Sequence, residues 1–584
     1  MNKLKLLGVA AFSFFSVNLI FAQILKQPNV LVILTDDQGY GDLGINGNIH
    51  VKTPVLDRFA KESVRFTNFY VSPVCAPTRS SLLTGRYSLR TGIRDTYEGG
   101  AIMASSEITL AEILKQAKYT TGIFGKWHLG DSYPSRPQDQ GFDETLIHLA
   151  GGMGQPGDFT NYFKKDSSYF NPVLWHNGTR EFYPGYCSDI FAARAIKFIE
   201  KNRGNPFFCY LTFNAPHAPL QVPDKYYLKY KNIDPSAGYS GDPRPFSTMT
   251  EKEKEMARRV YAMVDNIDEN IGLILQKLDD LKLAENTIVI FMTDNGPQQT
   301  RYNAGMHGLK ATVYRGGIRV PFYLRYPSRF TGDKNVELNA AHIDLLPTLA
   351  HLCNAKVPKD RKIDGKDLVP AMDGQQVDWK NRSLFFYWTR RYPELYNNIA
   401  LQIGSDKLVG NTDYNANTDQ FELFDVNKDP YELDNRVNKD PVLAQRIRDE
   451  LEKQTMELVN SENLLHQPRI VIGSKFENPT YLNRNDATGR PASNSQEDQY
   501  GFWKVSLREG TYNIRFKFLH PLKGNGKLYL ETGTFIQQKV NQLPDTDVIE
   551  MKNVKFSSMD CDFIPYYSIG SQRIFPFWVE LSKN

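Results

Sequence analysis

Residues Val74-Cys-Ala-Pro-Thr-Arg-Ser80 hold a thiol, a proline and an arginine at alternate positions. Pro77 suits the first turn of a helix, where its missing N–H costs nothing and its φ is already helical. Cys75 is then expected just before that helix's N-terminus, where unpaired N–H groups and the helix dipole favour an anion. Arg79, one turn on, adds a fixed positive charge. A lone cysteine reads as a small buried apolar residue. The spacing Cys75-x-Pro77-x-Arg79 is far more specific than a lone cysteine. Two acidic pairs offer a second chemistry. Asp36 and Asp37 follow the apolar run Asn29 to Leu34, and Asp294 and Asn295 follow Thr287 to Met292. Either pair alone reads as turn residues capping a strand. Two pairs in equivalent positions make three carboxylates and one amide, a hard all-oxygen set that suits calcium or magnesium better than zinc.

Such groups need a rigid frame. NVLVIL (Asn29 to Leu34), FFCYLTF (Phe207 to Phe213) and TIVIFM (Thr287 to Met292) are continuous apolar runs, as expected of strands buried on both faces. Thr120 to Phe124 is a further candidate. Thr109 and Glu112 form a possible capping box for a helix running to about Ala117. Val260, Val264, Ile267, Ile271, Ile274 and Leu278 make one apolar helical stripe. Strands alternating with helices predict an α/β fold, a mostly parallel sheet flanked by helices. Functional sites of such sheets lie beyond the carboxyl ends of the strands, where both acidic pairs fall.

After about residue 375 the pattern shifts. Leu384 to Tyr387, Leu408 to Val409 and Phe421 to Phe424 are short candidate strands, followed by a helix around Leu443 to Leu458. From about Gln467 it shifts again, through a polar loop at Asn478 to Gln499. Beyond it Trp503, Val505 and Leu507 alternate, as do Tyr512, Ile514, Phe516 and Phe518. Period-two alternation predicts a β-rich terminal domain. The expected division is 1–22, 23–375 (catalytic α/β domain), 376–465 (small α+β subdomain) and 466–584 (β-rich accessory domain).

The cysteine segment resembles the signature of the formylglycine-dependent (type I) sulfatases of the alkaline-phosphatase superfamily, and the chain resembles their exported, arylsulfatase-like polysaccharide sulfatases. The resemblance runs from roughly Asn29 to Leu458. Further blocks carry it: Gly125-Lys-Trp-His-Leu-Gly130, Ala215-Pro-His-Ala-Pro219, Thr293-Asp-Asn-Gly296 with Lys310, Gly316-Gly-Ile-Arg-Val-Pro321, His342-Ile-Asp-Leu-Leu-Pro-Thr348 and Ile363-Asp-Gly365. It implies an alkaline-phosphatase-like fold and a sulfuric ester hydrolase. It implies that Cys75 is oxidised after translation to formylglycine, an aldehyde, by a maturation enzyme. One hydroxyl of the hydrated aldehyde attacks sulfur and leaves a covalent sulfate; deprotonation of the second expels sulfate. By the same resemblance Asp36, Asp37, Asp294, Asn295 and residue 75 hold one calcium ion in preference to magnesium. Arg79 stabilises the hydrated aldehyde, Lys126 and Lys310 contact sulfate oxygens, His128 assists breakdown of the intermediate, and His217 is the acid for the leaving oxygen. The sequence departs from the common pattern at His307 and Arg315, which are expected beside the sulfate pocket as specificity candidates. Trp175 and His176 are candidates for a sugar groove. A phosphonate hydrolase using the same aldehyde stays open as the rival reading.

Composition sets the outer bounds. The chain has 584 residues, 41% hydrophobic and 23% charged, ordinary for a soluble globular protein and unlike a disordered, collagenous or polytopic membrane chain. Seventy Lys+Arg against 66 Asp+Glu leave a net charge of +4, no reason to expect nucleic acid or an anionic membrane as partner. Five cysteines cannot be a disulfide framework in so long a chain. With Cys75 consumed, Cys187, Cys209, Cys353 and Cys561 remain, with no pairing implied. Lys3 and Lys5, the apolar run Leu6 to Phe21 and the small Ala22 read as a signal peptide over 1–22. The protein is therefore expected to be exported, periplasmic or secreted, without stable membrane insertion, and its substrate to be a sulfated polysaccharide or oligosaccharide. The motifs leave open the sugar, the sulfated position, endo or exo action, and the oligomeric state.

Overall fold

The structure is a computed structural model that describes residues 27–239, 241, 244–379, 381–489, 500–543 and 545–584. The expected signal peptide over 1–22 lies outside them, as does the end of the polar loop expected at Asn478 to Gln499. A ten-stranded sheet forms the centre: β1 (Asn29–Thr35), β2 (Val64–Tyr70), β3 (Thr120–Lys126), β4 (Glu144–His148), β5 (Val173–His176), β6 (Thr179–Phe182), β7 (Phe207–Thr212), β8 (Thr287–Thr293), β9 (Phe322–Arg325) and β10 (Lys334–Ala341). Its order is β10-β2-β9-β8-β1-β7-β3-β4-β5-β6. The inner strands β8, β1, β7, β3 and β4 pair in parallel, while β9 and the β5–β6 hairpin run antiparallel.

The continuous apolar runs are explained by two cores. Val30, Val32 and Leu34 of β1 point into one hydrophobic cluster, and Leu31 and Ile33 into another. β8 divides likewise, Ile288, Ile290 and Met292 against Val289 and Phe291. A strand covered on both faces has no polar side to show. The helix Glu251–Asp280 presents the expected stripe, Val260 through Leu278, to the second cluster. The helix Leu110–Gln116 starts at the expected Thr109–Glu112 capping box.

Toward the C-terminus an antiparallel four-stranded sheet follows (Ser383–Tyr387, Ile399–Ile403, Asp406–Gly410, Glu422–Asp425), with the helix Pro441–Val459 packed on it. The terminal residues build two further sheets, and Trp503, Val505 and Leu507 of one share a core with Tyr512, Ile514 and Phe516 of the other. This is a β-sandwich, and burial alternates along both strands as the sequence does. No helix among the described residues is long and apolar enough to cross a membrane.

Candidate active site

β1 and β8 lie side by side in register, with Thr35 opposite Thr293. The residues that follow therefore meet. The Asp37 N–H donates to Asp294 Oδ1 at 3.1 Å, and Asn295 Nδ2 donates to Asp37 Oδ1 at 2.8 Å. Asp37 has φ +62°, a left-handed turn that aspartate tolerates better than most side chains. All four residues are buried. Asp36 Oδ1, Asp37 Oδ2 and Asn295 Oδ1 are buried acceptors with no hydrogen-bond donor. Buried polar atoms without a partner are uncommon and call for a ligand. One oxygen each of Asp36 and Asp294 and the Cys75 sulfur all lie within 4.8 Å of one another.

Cys75 opens the helix Cys75–Thr84, in which every residue is buried. The expectation placed Cys75 just outside this helix; it is the first helical residue. Val74 is extended and takes the cap position, and the Thr78 N–H closes the first turn on the Val74 carbonyl at 3.3 Å. The anion-favouring end of the helix still lies at Cys75. Arg79, one turn in, donates to Asp294 Oδ2 from Nη2 (2.8 Å) and Nε (3.2 Å), and to the Lys126 carbonyl from Nη1 (3.2 Å).

β3 delivers Lys126 and His128. At Gly125 (φ +121°) a Cβ would lie 1.8 Å from the Thr212 carbonyl oxygen, so only glycine lets β3 end so close to β7. His128 follows with φ +61°. Its Nε2 contacts the Thr96 carbonyl at 2.6 Å, and its Nδ1 lies 3.4 Å from Cys75 Sγ. A carbonyl only accepts, so in the neutral ring Nε2 carries the proton and Nδ1 faces the cysteine as an acceptor. By the same reasoning His217, whose Nδ1 donates to the Ala218 carbonyl at 2.6 Å, presents an unprotonated Nε2, 3.7 Å from Asp37 Oδ2.

Charges balance locally. Lys126 Nζ lies 2.6 Å from Asp36 Oδ2, and Lys310 Nζ lies 2.6 Å from Asp37 Oδ1. Burial works to raise the Asp37 carboxyl, but the Lys310 ammonium and the Asn295 amide hold it well below the usual range. Burial and the charge of Asp36, opposed by Arg79, push Asp294 up to about 7. Burial raises the Cys75 thiol, lowers His128 well below an ordinary histidine, and takes His217 down to about 3. Both histidines are therefore neutral bases in this state. The arrangement can bind a hard cation, stabilise an oxyanion near residue 75 and exchange protons with it.

All ten residues singled out at the acidic pairs, the cysteine segment and the later blocks converge here. The cleft above them, about 480 Å³, is lined by Cys75, His128, His217 and Lys310. Other candidates fall elsewhere. Trp175 packs against Phe159 and Tyr481, and His176 contacts Glu181 and Arg194; neither lines the cleft. Arg315 is buried and donates from Nη1 to the Val426 carbonyl at 2.6 Å, and His307 stacks on Tyr314 at 3.9 Å. Arg315 serves packing against the four-stranded sheet, His307 is exposed, and neither lines the cleft, so the expectation that they border the sulfate pocket is corrected. Thr96, Gly151 and Gln155 were not anticipated. Thr96 orients His128, and a Cβ at Gly151 would meet His128 Cε1 at 2.7 Å. The Gly151-Gly152 pair was the one local signal.

Comparison with known proteins identifies the family. The sulfatase family profile matches residues 28–355, and the profile of the C-terminal part of N-sulphoglucosamine sulphohydrolase matches residues 305–461. N-acetylgalactosamine-6-sulfatase of Canis lupus familiaris is 32% identical over 392 residues, 62% of this chain and 69% of that protein. The crystal structure of Ps i-CgsB, also solved in complex with k-i-k-neocarrahexaose, is 27% identical with a TM-score of 0.65, covering 75% of this chain and 94% of its own. The phosphonate monoester hydrolase of Agrobacterium radiobacter shares the fold at 18% identity, with a TM-score of 0.54 over 74% of this chain and 95% of its own.

Proposed function

The chain belongs to the sulfatase family, with the alkaline-phosphatase-like fold, and we propose that it is an exported enzyme that hydrolyses sulfate esters on a polysaccharide or oligosaccharide, using Cys75 after conversion to formylglycine. The observation that carries this reading is the position of Cys75: first residue of a buried helix, in reach of His128 and of the Asp36–Asp294 oxygens. The comparisons support a saccharide substrate, since one relative is named for a sulfated hexosamine and another was solved with a carrageenan oligosaccharide. Export, as part of this proposal, rests on the sequence of residues 1–22 alone.

Asp36, Asp37, Asp294 and Asn295 fit a divalent cation, because three of their oxygens are buried without a donor. Hard oxygen donors of this kind favour calcium. Such a cation would supply charge, offsetting the carboxylates and favouring the ionised form of an oxygen nucleophile. Formylglycine at position 75, once hydrated, would supply one hydroxyl to attack sulfur and a second to expel sulfate.

The chain's own residues do the rest. Arg79 is anchored by Asp294 and the Lys126 carbonyl, so it holds its charge beside residue 75 without rearranging. Lys126 and Lys310 bring ammonium groups to a site that must accept an anion. His128 Nδ1, the acceptor aimed at residue 75, takes the proton whose loss releases sulfate. His217 donates to the leaving oxygen. Its burial-lowered pKa means it must first gain a proton, which the negative charge of a bound sulfate ester favours.

The test is the mass of the peptide containing Cys75, after expression with a formylglycine-generating enzyme. Exchange of the thiol for an aldehyde is expected, and Cys75→Ala should fold but not turn over. Unmodified cysteine in an active preparation, or a phosphate or phosphonate ester of one phenol cleaved faster than its sulfate, would overturn the reading.

A further inference from the structure

We propose that the terminal β-sandwich is part of the substrate site, closing the cleft so that a glycan enters by its end. This rests on the sulfatase reading and adds to it the element that sets chain-end selectivity. Both family profiles stop short of the sandwich, at residues 355 and 461. The sandwich thus lies outside both matched profiles, and its role must be read from this chain's own contacts.

The contact is made by the turn after the strand Thr480–Asn483. Asn483 Oδ1 accepts the N–H groups of Asn485 (2.9 Å) and Asp486 (3.2 Å), which fixes the turn's shape. The turn is then fastened to the loops that build the active site. Asn483 Nδ2 donates to Asp131 Oδ2 at 2.8 Å, and the Asp131 N–H donates to Asp486 Oδ2 at 3.1 Å. The Gly99 N–H donates to the Asn485 carbonyl at 3.2 Å, and a Cβ at Gly157 would lie 2.6 Å from that of Asn485. These are the loops that bring Thr96, His128 and Gly151 to the cysteine. Within the turn Asn483, Arg484 and Asp486 are buried, while Asn485 is half-buried and lines the cleft.

A second wall comes from the region of the four-stranded sheet. Trp388 and Arg390 line the cleft together with Tyr97. The Arg390 guanidinium lies 4.1 Å from the Tyr97 ring centroid and 4.8 Å from that of Trp388, and Nη1 donates to Asp95 Oδ1 at 2.8 Å. Aromatic faces take the apolar face of a sugar ring, a fixed guanidinium takes a sulfate or carboxylate, and an amide takes hydroxyls. Cys75 is only 2% exposed at the base of the cleft. The sulfate must therefore be carried inward between these walls, which an end of a chain can do and a chain held at both sides cannot.

The experiment uses the full-length, matured, calcium-loaded enzyme on κ-carrageenan and chondroitin 6-sulfate, each intact and cut to hexasaccharides. Mass spectrometry locates the residue that loses sulfate. Release from the terminal residue alone is expected. Asn485→Trp and Asn485→Ala should each lower kcat/KM on the hexasaccharide at least tenfold relative to 4-nitrophenyl sulfate, with the loss mainly in KM. Release from internal residues at a comparable rate would overturn the proposal while leaving the sulfatase reading intact. So would equal losses on both substrates, the mark of a purely structural turn. No release from any of these glycans would overturn the sulfatase reading on glycans itself.

Discussion

Replacing Arg79 by alanine should destabilise the protein by an amount that depends on pH and on calcium. The guanidinium gives Asp294 hydrogen bonds of 2.8 and 3.2 Å and lies 3.9 Å from Asp36. Arg79 and Asp294 are 1% and 0% exposed, so water cannot take the guanidinium's place without a rearrangement. Removing one partner of a buried pair costs about 3–5 kcal/mol. The lower end applies near neutrality, because Asp294 already sits at about 7 and a protonated carboxyl is cheaper to leave unpaired. Its folded pKa lies above the unfolded value, so the native state holds the extra proton and stability falls as pH rises toward the folded pKa. In the wild type that fall ends near 7. In the variant, without the arginine, the folded pKa is higher and the fall continues. The gap between the two should therefore widen above pH 7, by about 1.4 kcal/mol per pH unit, until the variant's own pKa is passed. Calcium, if it occupies the proposed cation site, acts the other way. It gives the orphaned carboxylate a new partner, so the variant should gain more from it than the wild type. Urea denaturation in EDTA and in calcium, at pH 6.5 to 8.5, measures all three effects. A cost below about 1 kcal/mol would refute the buried-pair argument, and a cost identical in EDTA and calcium would refute the placing of Asp294 in the cation site.

His217→Ala should lower kcat by about 10²- to 10⁴-fold on a sugar sulfate, the usual worth of a general acid, and much less on 4-nitrophenyl sulfate, whose leaving group needs little protonation. Equal losses in steady-state kinetics on the two would remove the acid role. Gly125→Ala sets a Cβ 1.8 Å from the Thr212 carbonyl at φ +121°. It should cost more than about 4 kcal/mol or prevent soluble expression, and a variant with wild-type denaturation would show that the β3–β7 approach does not need glycine.

Much of the frame was legible because burial on both faces leaves a direct trace: β1, β7 and β8 are unbroken apolar runs. β2 (VRFTNFY) and β4 (ETLIH) carry no such run, since their polar residues are accommodated by neighbours that only the fold supplies. Ile399–Ile403 lies between short candidates that were seen, but its five residues carry too little pattern to stand alone. In the site, residue types and local spacing revealed Cys75, Arg79 and both acidic pairs. They could not reveal that Lys126 and Lys310 rest on Asp36 and Asp37, nor that Thr96 sets the tautomer of His128, because those partners are set by which loops the sheet order brings together. Arg315 shows the opposite failure. Its place next to a family block suggested the pocket, whereas its guanidinium is spent on the Val426 carbonyl.

The burial of Cys75 has a temporal consequence. If Cys75 is converted to formylglycine as proposed, a maturation enzyme must take hold of the segment around the thiol, yet in the folded protein that segment is a wholly buried helix with the sulfur packed toward His128. Oxidation must then precede folding, and the two processes race. A chain that folds first is sealed as an inert thiol form, whatever maturation enzyme is added later. The fold thus turns a chemical modification into a one-time decision, made while the polypeptide is still open.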